Sequence, residues 1–437
     1  MRRHVVRLAA AVLAMSAWRA AVGQEDRALA RRVDEYLRPL VASGDFNGVA
    51  LVARGNRVLV QRAYGKADWD LGVPLTARSR FRIASITKTF TAAAIAMLAE
   101  QGKLSYRDPL SKYIPGFPSG DKIQIRHLLL FAAGVPNPSA SGCSDATLDD
   151  LVADLARKPL DFEPGTRSRY SNGSYVLLAR VVEAASGTTW AAYLRDHVFR
   201  PLALTATDAD DAARVVPDRA RGFVPGPGAA GVEHAACEGA WADIGSGALV
   251  SDASDLYHWG RVVRADSLFK RTALEYPYGW GVRKYFDRPV IEQSGIVDGF
   301  SSYLAVYLDA DVYVVLLTNV QSGNLTDVGK GIAALALGVP APTVAASPPS
   351  VPWSPTERAR WVGHFRNEHI ATVELSERGE GVRLRWGNSP ETLFLAATAP
   401  SQAYDRQDAV AMTLNADGSV LTMRWGNGDP QEFRRLP

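Results

Sequence analysis

Ser85 and Lys88 are the residues of this chain whose types and spacing most directly allow chemistry. They lie near the start of Phe81–Leu104, FRIASITKTFTAAAIAMLAEQGKL, where an unbroken apolar run predicts a helix buried on all sides. Residues three apart are neighbours on one helical face. A hydroxyl beside an amine at a helix N-terminus is a nucleophile next to a candidate base, and the free N–H groups there favour developing negative charge.

The Ser-x-x-Lys spacing by itself is weak evidence. It also occurs at Ser119/Lys122 and Ser267/Lys270. The first of these pairs lies in a Pro/Gly-rich loop and the second precedes a short basic segment. Their sequence context therefore predicts that both pairs lie on the surface. Ser85 could equally be a helix N-cap, with Lys88 a solvated residue of the first turn. The rest of the chain has to distinguish catalysis from capping.

The composition is that of a globular chain long enough for two domains. Of its 437 residues, 47% are hydrophobic and 22% are charged. The formal net charge is +3, but four of the 49 basic residues fall in residues 1–23, which contain no acid. The rest of the chain carries 45 basic and 46 acidic residues. This balance gives no indication of a nucleic-acid partner.

Residues 1–23 have the pattern of a secretory signal peptide. A basic start precedes the apolar run Leu8–Ala17, and small residues at 21–23 precede a cleavage point at Gln24. A membrane anchor is the alternative, but the run is too short to span a bilayer and Arg19 interrupts it. We therefore expect a periplasmic or secreted protein with no stable membrane span in the mature chain.

The two cysteines, Cys143 and Cys237, leave two alternatives open. In an oxidising compartment they could form a disulfide that closes a long loop and stabilises the fold by about 4 kcal/mol. They could equally be two separately buried, inert thiols.

The pattern of helices and strands predicts a mixed α/β unit over residues 24–338. Strands near both ends enclose a helical middle, so the sheet should join N- and C-terminal segments and carry helices on its faces. The predicted helices are 25–43, Phe81–Leu104, Ile125–Phe131, 147–157, Ser174–Ala185, one that begins after a cap at Ser251 or Asp252, and Asp327–Leu337. The predicted strands form a hairpin around Arg54-Gly55-Asn56 and an antiparallel series from about 278 to 320.

A Pro-rich linker at 339–355 separates this unit from a small all-β C-terminal domain at 356–437. A loose duplication, LRWGN and MRWGN, predicts two strand ends of a small β-barrel or meander, with Trp386 and Trp425 in its core. The domain contains no catalytic grouping. We therefore expect it to fold separately, and a chain ending near Gly338 to keep the reactivity of Ser85 towards a small ester.

Two further short motifs accompany the Ser-x-x-Lys pair. Tyr170-Ser171-Asn172 precedes a helix, and Gln293-Ser294-Gly295 lies in a strand. The set and its order resemble the serine β-lactamase / penicillin-binding protein family, in particular the class C β-lactamase-like branch, which includes D-specific peptidases and esterases. The resemblance covers about residues 30–338. It extends to GKLSYRDPLSKYIPGFP, FEPGTRSRYSNGSYVLLARVVEAASG, GSGALVSDASDL and GIVDGF.

The resemblance implies a β-lactamase/transpeptidase-like fold with an all-helical subregion, and a serine hydrolase that works through an acyl-enzyme. Ser85 would attack an acyl carbon, Lys88 would take or relay its proton, and Tyr170 would be the second proton carrier. Asn172 would hydrogen-bond the substrate amide or orient Lys88.

The strand motif would complete the site. The backbone N–H groups of Ser85 and Ile296 would form the oxyanion hole, and Gly295 would let the substrate lie against the strand edge. Gln293 and Ser294 would face the substrate, which is a small molecule or peptide. The seven histidines are scattered without metal-ligand spacing, so no metal or cofactor is expected. The oligomeric state stays open.

Two departures from the family pattern bear on function. Gln293 stands where the family usually has Lys or His, which favours an esterase or neutral-amide peptidase over an efficient β-lactamase, unless Arg283, Lys284 or another cation reaches the pocket. The segment LLLFAAG stands where the family commonly has His-Thr-Ser, and at a helix end it is expected to change packing alone. The alternative to a hydrolase is a penicillin-recognising or ligand-binding protein without turnover.

Overall fold

A computed structural model describes most of the chain. The described ranges are 24–140, 144–211, 214–226, 231–235, 243–265, 279–368, 371–387, 393–425 and 428–437. The expected signal peptide at 1–23, both cysteines and the pair Ser267/Lys270 lie outside these ranges. The signal peptide and the disulfide therefore stay predictions.

The strands before residue 338 form one large sheet and three small ones. They are β1 (Gly48–Arg54), β2 (Arg57–Tyr64), β3 (Lys66–Asp68), β4 (Val73–Pro74), β5 (Phe81–Arg82), β6 (Asp208–Ala209), β7 (Phe223–Pro225), β8 (Val232–His234), β9 (Leu249–Ser251), β10 (Gly281–Tyr285), β11 (Arg288–Val297), β12 (Phe300–Tyr307) and β13 (Val312–Thr318).

Helices surround the large sheet and fill the middle of the chain. They are α1 (24–42), α2 (Thr87–Glu100), α3 (Ile125–Leu129), α4 (Leu148–Ala156), α5 (Asn172–Ser186), α6 (Trp190–Leu194), α7 (Ala253–Ala265), α8 (Leu325–Leu337) and α9 (Pro355–Trp361). Single 3₁₀ turns cover Ala84–Ile86 and Leu110–Lys112, and a π-helical turn covers Arg195–Phe199.

The large sheet is antiparallel, with the strand order β10-β11-β12-β13-β1-β2. Its early and late strands meet where β1 pairs with β13, from Gly48 opposite Thr318 to Arg54 opposite Val312. Helices α1 and α8 pack on one face, and α2, α5 and α7 belong to the core on the other. Strands β12 and β13 are buried throughout because both faces are covered. The predicted joining of N- and C-terminal segments in one sheet is confirmed.

Helix α2 runs through the core on the α5 and α7 side of the sheet. The sequence predicted a helix from Phe81, but Phe81 and Arg82 form strand β5, and a 3₁₀ turn then leads into α2 at Thr87. The buried hydroxyls of Thr89 and Thr91 accept hydrogen bonds from the indole N–H groups of Trp259 at 2.9 Å and Trp190 at 3.0 Å. These bonds satisfy polar atoms that burial would otherwise leave unpaired, and they fix the helix against its neighbours.

The C-terminal unit is a closed barrel. Its strands are β14 (Gly363–Arg366), β15 (Thr372–Arg378), β16 (Gly381–Trp386), β17 (Leu393–Ala399), β18 (Gln402–Asp405), β19 (Val410–Leu414), β20 (Val420–Trp425) and β21 (Gln431–Arg435). Each pairs with the next, and β21 closes on β14. The expected small all-β domain is confirmed, as a closed barrel.

Side chains fill the inside of this barrel. Its core includes Leu375, Leu395 and Phe433, with Trp386 and Trp425 packed against it while partly buried. Both tryptophans end strands, at the positions expected from the LRWGN and MRWGN repeats. The interior is therefore a packed core rather than a ligand cavity.

Candidate active site

Ser85 lies in the 3₁₀ turn ahead of α2, after Ala84 in a left-handed conformation at φ 47°. The hydroxyl of Ser85 is 2.6 Å from the Tyr170 hydroxyl, and it accepts a hydrogen bond from Lys88 Nζ at 3.1 Å. The N-cap position of α2 is Ile86, without a side-chain capping bond. The alternative interpretation of Ser85 as the cap of this helix is therefore wrong.

Lys88 is completely buried, so it is not a solvated residue of the first turn. Its Nζ has three acceptors within reach: Ser85 Oγ at 3.1 Å, Asn172 Oδ1 at 2.8 Å and the Ser246 carbonyl oxygen at 2.9 Å. Burial lowers the pKa of Lys88 to about 7, although the negative charge of Asp243 acts in the opposite direction. A neutral amine here would keep two protons for Asn172 and Ser246 and present its lone pair to Ser85.

Tyr170 is the second side chain in contact with the Ser85 hydroxyl, besides Lys88. Half of the Tyr170 side chain is exposed, but loss of hydration within the site raises its pKa to about 12, helped by the negative charge of Asp243 and opposed by the Ser85 hydrogen bond. Lys88 Nζ is 4.8 Å from the centroid of the Tyr170 ring. At neutral pH the tyrosine hydroxyl therefore keeps its proton while the lysine amine can lose one. Two titratable groups whose pKa values are moved apart in this way suit the acid and base of one reaction.

The start of α5 positions Tyr170 and Asn172. Ser171 caps this helix, because its hydroxyl accepts from the Ser174 N–H at 3.1 Å. Asn172 is the first helical residue rather than part of the preceding connection, and its N–H donates to Asn137 Oδ1 at 2.8 Å. Of the two roles considered for Asn172, the structure shows the contact with Lys88.

Strand β11 brings Gln293 to the nucleophile. Gln293 Nε2 donates to the Ser85 carbonyl oxygen at 3.3 Å. The pairing of β10 with β11 ends at Glu292, so among the described residues the β11 segment 293–297 has no strand partner on that side. Within the part of the chain that the structure describes, this segment of β11 is therefore an unpaired strand edge beside Ser85.

Gly295 is needed for close packing of this edge against the nucleophile turn. A Cβ atom at Gly295 would lie 2.7 Å from the Ala84 Cβ, the Ile83 carbonyl oxygen and the Ser302 hydroxyl. The sequence predicted that this glycine makes room for substrate. The contacts give it a structural reason, since only a residue without a side chain lets β11 approach the turn that carries Ser85.

Because side chains alternate between the two faces of a strand, Gln293 and Ser294 of β11 point to opposite faces of the sheet. Gln293 pairs with Leu304 of the core that contains α2, whereas Ser294 pairs with Tyr303 of the core beneath α8. Ser294 is exposed and takes no part in the bonds that join Ser85, Lys88, Tyr170 and Asn172. The Ile296 side chain is half exposed. The expected contribution of Ile296 to an oxyanion hole is through its backbone N–H and stays a prediction.

The two named cations of β10 are away from Gln293. Arg283 pairs with Val290. The side chains of Val290 and Glu292 lie on one face of the sheet and that of Gln293 lies on the other, so Arg283 is on the opposite face from Gln293. Lys284 pairs with Pro289, four residues before Gln293, and forms an ion pair with Asp287 at 3.1 Å. Neither supplies the charge that a Lys or His at position 293 would bring.

Sequence reasoning missed three contributors to the site. The Ser246 carbonyl and the Asn137 side chain hold Lys88 and Asn172, but neither carries a sequence signal, because a backbone acceptor can come from any residue. The third is Phe131, whose ring is 4.9 Å from the ring of Tyr170. Phe131 adopts a left-handed conformation at φ 55°, and its carbonyl accepts from the Arg169 N–H at 2.9 Å. Phe131 belongs to the segment LLLFAAG, which the sequence singles out as a departure from the family pattern.

The described ranges contain no candidate metal site and no candidate membrane span. No group of three or more His, Cys, Asp or Glu side chains there could hold a metal ion. None of the helices in those ranges is long and apolar enough to cross a bilayer.

The fold and the Ser85–Lys88–Tyr170 arrangement together define a serine hydrolase with a β-lactamase/transpeptidase-like fold. Residues 33–338 match the family model described as Beta-lactamase. The chain therefore belongs to the Beta-lactamase family.

Three similar proteins illustrate this relationship. Penicillin-binding protein 4* of Bacillus subtilis (strain 168) is 27% identical over 322 residues, which are 63% of this chain and 68% of that protein. The octameric penicillin-binding protein homologue from Pyrococcus abyssi is 18% identical with a TM-score of 0.61, covering 92% of this chain and 99% of that one. D-amino acid amidase from Ochrobactrum anthropi SV3 is 20% identical with a TM-score of 0.60, covering 70% and 97%.

The two structural matches cover different lengths of this chain. A match over 92% of this chain extends past residue 338 into the barrel, whereas the one over 70% is consistent with the hydrolase unit alone. At identities this low, these similarities establish architecture and leave substrate to the site itself.

Proposed function

We propose that this protein is an exported serine hydrolase that forms an acyl-enzyme at Ser85 and acts on a neutral ester or an amide. The observation that carries the proposal is the contact of one serine hydroxyl with a buried lysine amine at 3.1 Å and a tyrosine hydroxyl at 2.6 Å. The leader pattern at 1–23 supports export.

The geometry supports the following acylation. Neutral Lys88 accepts the proton of the Ser85 hydroxyl as its oxygen attacks the acyl carbon. The negative charge that develops on the acyl oxygen is stabilised by the N–H groups proposed for the oxyanion hole, those of Ser85 and Ile296. Tyr170 gives its proton to the leaving group and is reprotonated from Lys88. The pair therefore returns to its starting protonation state, and the net result is transfer of the Ser85 proton to the leaving group.

Deacylation runs through the same groups. A water molecule loses a proton to the Lys88–Tyr170 pair and attacks the acyl carbon, and Ser85 recovers its proton when its bond to carbon breaks. Both half-reactions need a base and an acid in contact with one oxygen, and Lys88 and Tyr170 both contact Ser85 Oγ. The alternative of a binding protein without turnover stays a prediction, which very slow release of an acyl group from Ser85 would support.

Gln293 is the basis for the proposed substrate preference. A charge-assisted hydrogen bond contributes about 1.5–3 kcal/mol, whereas a neutral one contributes about 0.5–1.5 kcal/mol. Gln293 donates only the neutral kind, and neither Arg283 nor Lys284 is placed to replace the charge. Substrates that need a cation beside their carboxylate should therefore be poor, which ranks ester and neutral-amide hydrolysis above efficient β-lactam hydrolysis.

The preference can be tested with a matched pair of substrates. We would measure kcat/KM for a neutral aryl ester and for its carboxylated analogue, with wild type and Gln293→Lys. Wild type should prefer the neutral ester, and the lysine should raise kcat/KM for the carboxylated one by about tenfold for each ~1.4 kcal/mol gained. A wild type that already prefers the carboxylated ester, and gains nothing from the lysine, would contradict the proposed substrate class.

A further inference from the structure

Two arginines of the barrel hold one hairpin of the hydrolase unit. Arg383, on β16, donates through Nη2 to both carboxylate oxygens of Glu233 on β8, each at 2.5 Å. Arg406, in the loop after β18, donates through Nη1 to the carbonyl oxygen of Gly231 at 3.0 Å. Both contacts reach the hairpin formed by β7 and β8.

The arginines themselves are firmly held. The Arg383 side chain is only 11% exposed and lies over the Phe394 ring, with its guanidinium carbon 5.0 Å from the ring centroid. Arg406 is buried, and its Nε is 3.5 Å from the buried carboxylate of Asp45. Linker residue Ser347 also binds Asp45, through its N–H and its hydroxyl at 2.6 Å each. The barrel is thus anchored on the hydrolase unit rather than tethered by the linker alone.

The same hairpin touches the turn that follows the open edge of β11. A Cβ atom at Gly299 would lie 2.7 Å from the Gly222 Cα and 2.8 Å from the Ala235 Cβ, so the backbones are in direct contact there. Gly222 and Ala235 flank β7 and β8, and Gly299 lies three residues after Ile296. A movement of the hairpin would therefore press on the turn that fixes the Ile296 end of the strand.

We infer that the barrel positions the active-site strand: Arg383 and Glu233 form a positioning pair that holds the β7–β8 hairpin against the β11–β12 turn, and thereby holds the Ile296 N–H at the oxyanion hole. This inference rests on the proposed function, because it assigns the pair to that same site. It departs from the expectation of a barrel that is dispensable for the reactivity of Ser85.

The alternative role for the ion pair is attachment of the barrel, without effect on the reaction. Attachment predicts changes in stability only, whereas positioning of an oxyanion donor predicts a loss of kcat with little change in KM. A displacement of about 1 Å at such a donor is enough for a rate loss that approaches a hundredfold. In a Glu233 variant the contact of Arg406 with Gly231 stays in place. We therefore expect a smaller loss of kcat, of about tenfold.

The experiment uses the full-length protein and a neutral 4-nitrophenyl ester. Glu233→Gln breaks the ion pair between the two units and leaves the barrel core untouched. Glu374→Gln is the matched control, because Glu374 pairs with Arg385 within the barrel. For both variants and for Arg383→Gln/Glu233→Gln we would measure kcat, KM and the melting temperature. Should Glu233→Gln not fold, Glu233→Asp, which shortens the side chain by one methylene, takes its place.

Positioning predicts that Glu233→Gln lowers kcat about tenfold with KM within about twofold, that the double variant resembles it, and that Glu374→Gln keeps the wild-type kcat. Wild-type kcat in a folded Glu233→Gln protein, an equal loss in Glu374→Gln, or a change confined to KM would each overturn the inference. A wild type that fails to hydrolyse esters and amides would contradict the proposed function instead, so the two failures are distinguishable.

Discussion

Lys88 Nζ lies 3.1 Å from Ser85 Oγ, and the lysine side chain has no exposed surface. An ammonium group in such a place loses hydration, which is the main reason that its pKa falls to about 7. The lysine can therefore exchange its proton near neutral pH, unlike an ordinary surface lysine. This relationship makes Lys88 the general base of the proposed mechanism.

The pH profile should report this lysine. As the base, Lys88 must be deprotonated to act, so kcat/KM for a neutral ester should rise with pH through an apparent pKa of about 7 and level off above it. The raised pKa of Tyr170, about 12, places the loss of the acid beyond the usual assay range. A profile that is flat between about pH 5.5 and 8.5, or that falls as the pH rises, would count against Lys88 as the base.

Removal of the Tyr170 hydroxyl should abolish most turnover without unfolding the protein. Tyr170→Phe keeps the ring that lies beside Lys88 and removes the proton carrier, so kcat/KM should fall by about 10²–10⁴-fold at little cost in melting temperature. Tyr175→Phe is the control: its ring also lies near Lys88 Nζ, at 5.7 Å, but its hydroxyl contacts Leu129 rather than Ser85. Near-wild-type turnover in Tyr170→Phe would remove this residue from the mechanism.

Phe131 should matter through its ring. A phenylalanine at φ 55° carries a backbone cost of about 1 kcal/mol or more, which the contacts of the ring with Tyr170 and Tyr175 help to offset. An aromatic pair contributes about 0.5–1.5 kcal/mol, so Phe131→Ala should lower kcat/KM by about threefold to tenfold, whereas Phe131→Tyr should retain the wild-type value. Equal defects in the two variants would show that the ring does not support Tyr170.

Gly295 should tolerate no side chain, whereas its neighbour Ser294 should tolerate substitution. Gly295→Ala places a methyl group 2.7 Å from three atoms on two other segments, so we expect a loss of about 1–3 kcal/mol in the free energy of unfolding and slower acylation. Ser294 is exposed on the same strand, so Ser294→Ala should leave the free energy of unfolding and the rate of acylation nearly unchanged. Denaturant unfolding and ester hydrolysis of the two variants would check this, and a stable, fully active Gly295→Ala protein would contradict the packing argument.

Much of the architecture follows from local pattern. The apolar run after Lys88 predicts a buried helix, and the alternating and apolar segments from about 278 predict an antiparallel series of strands. The repeated LRWGN and MRWGN segments predict a small β unit. The three site motifs were also found from their residue types, and the structure brings Ser85, Lys88, Tyr170, Asn172 and Gln293 into one cluster.

The rest depends on tertiary contacts that local pattern does not encode. The Ser246 carbonyl holds Lys88 only because its loop packs against α2, and any residue type could have supplied it. The need for Gly295 comes from a turn more than two hundred residues earlier in the chain. The exposure of Ser294 follows from strand register, and the Arg383–Glu233 contact follows from how the barrel sits on the hydrolase unit.

The most direct test of the central claim is covalent labelling of Ser85. The intact protein and its Ser85→Ala variant would be treated with a fluorophosphonate probe and digested, and the modified peptide identified by mass spectrometry. We predict one adduct on Ser85 in the wild type, none in Ser85→Ala, and slower labelling below about pH 7 as Lys88 becomes protonated. A folded wild type that takes up no probe, or equal labelling of Ser85→Ala, would contradict the assignment of Ser85 as the nucleophile.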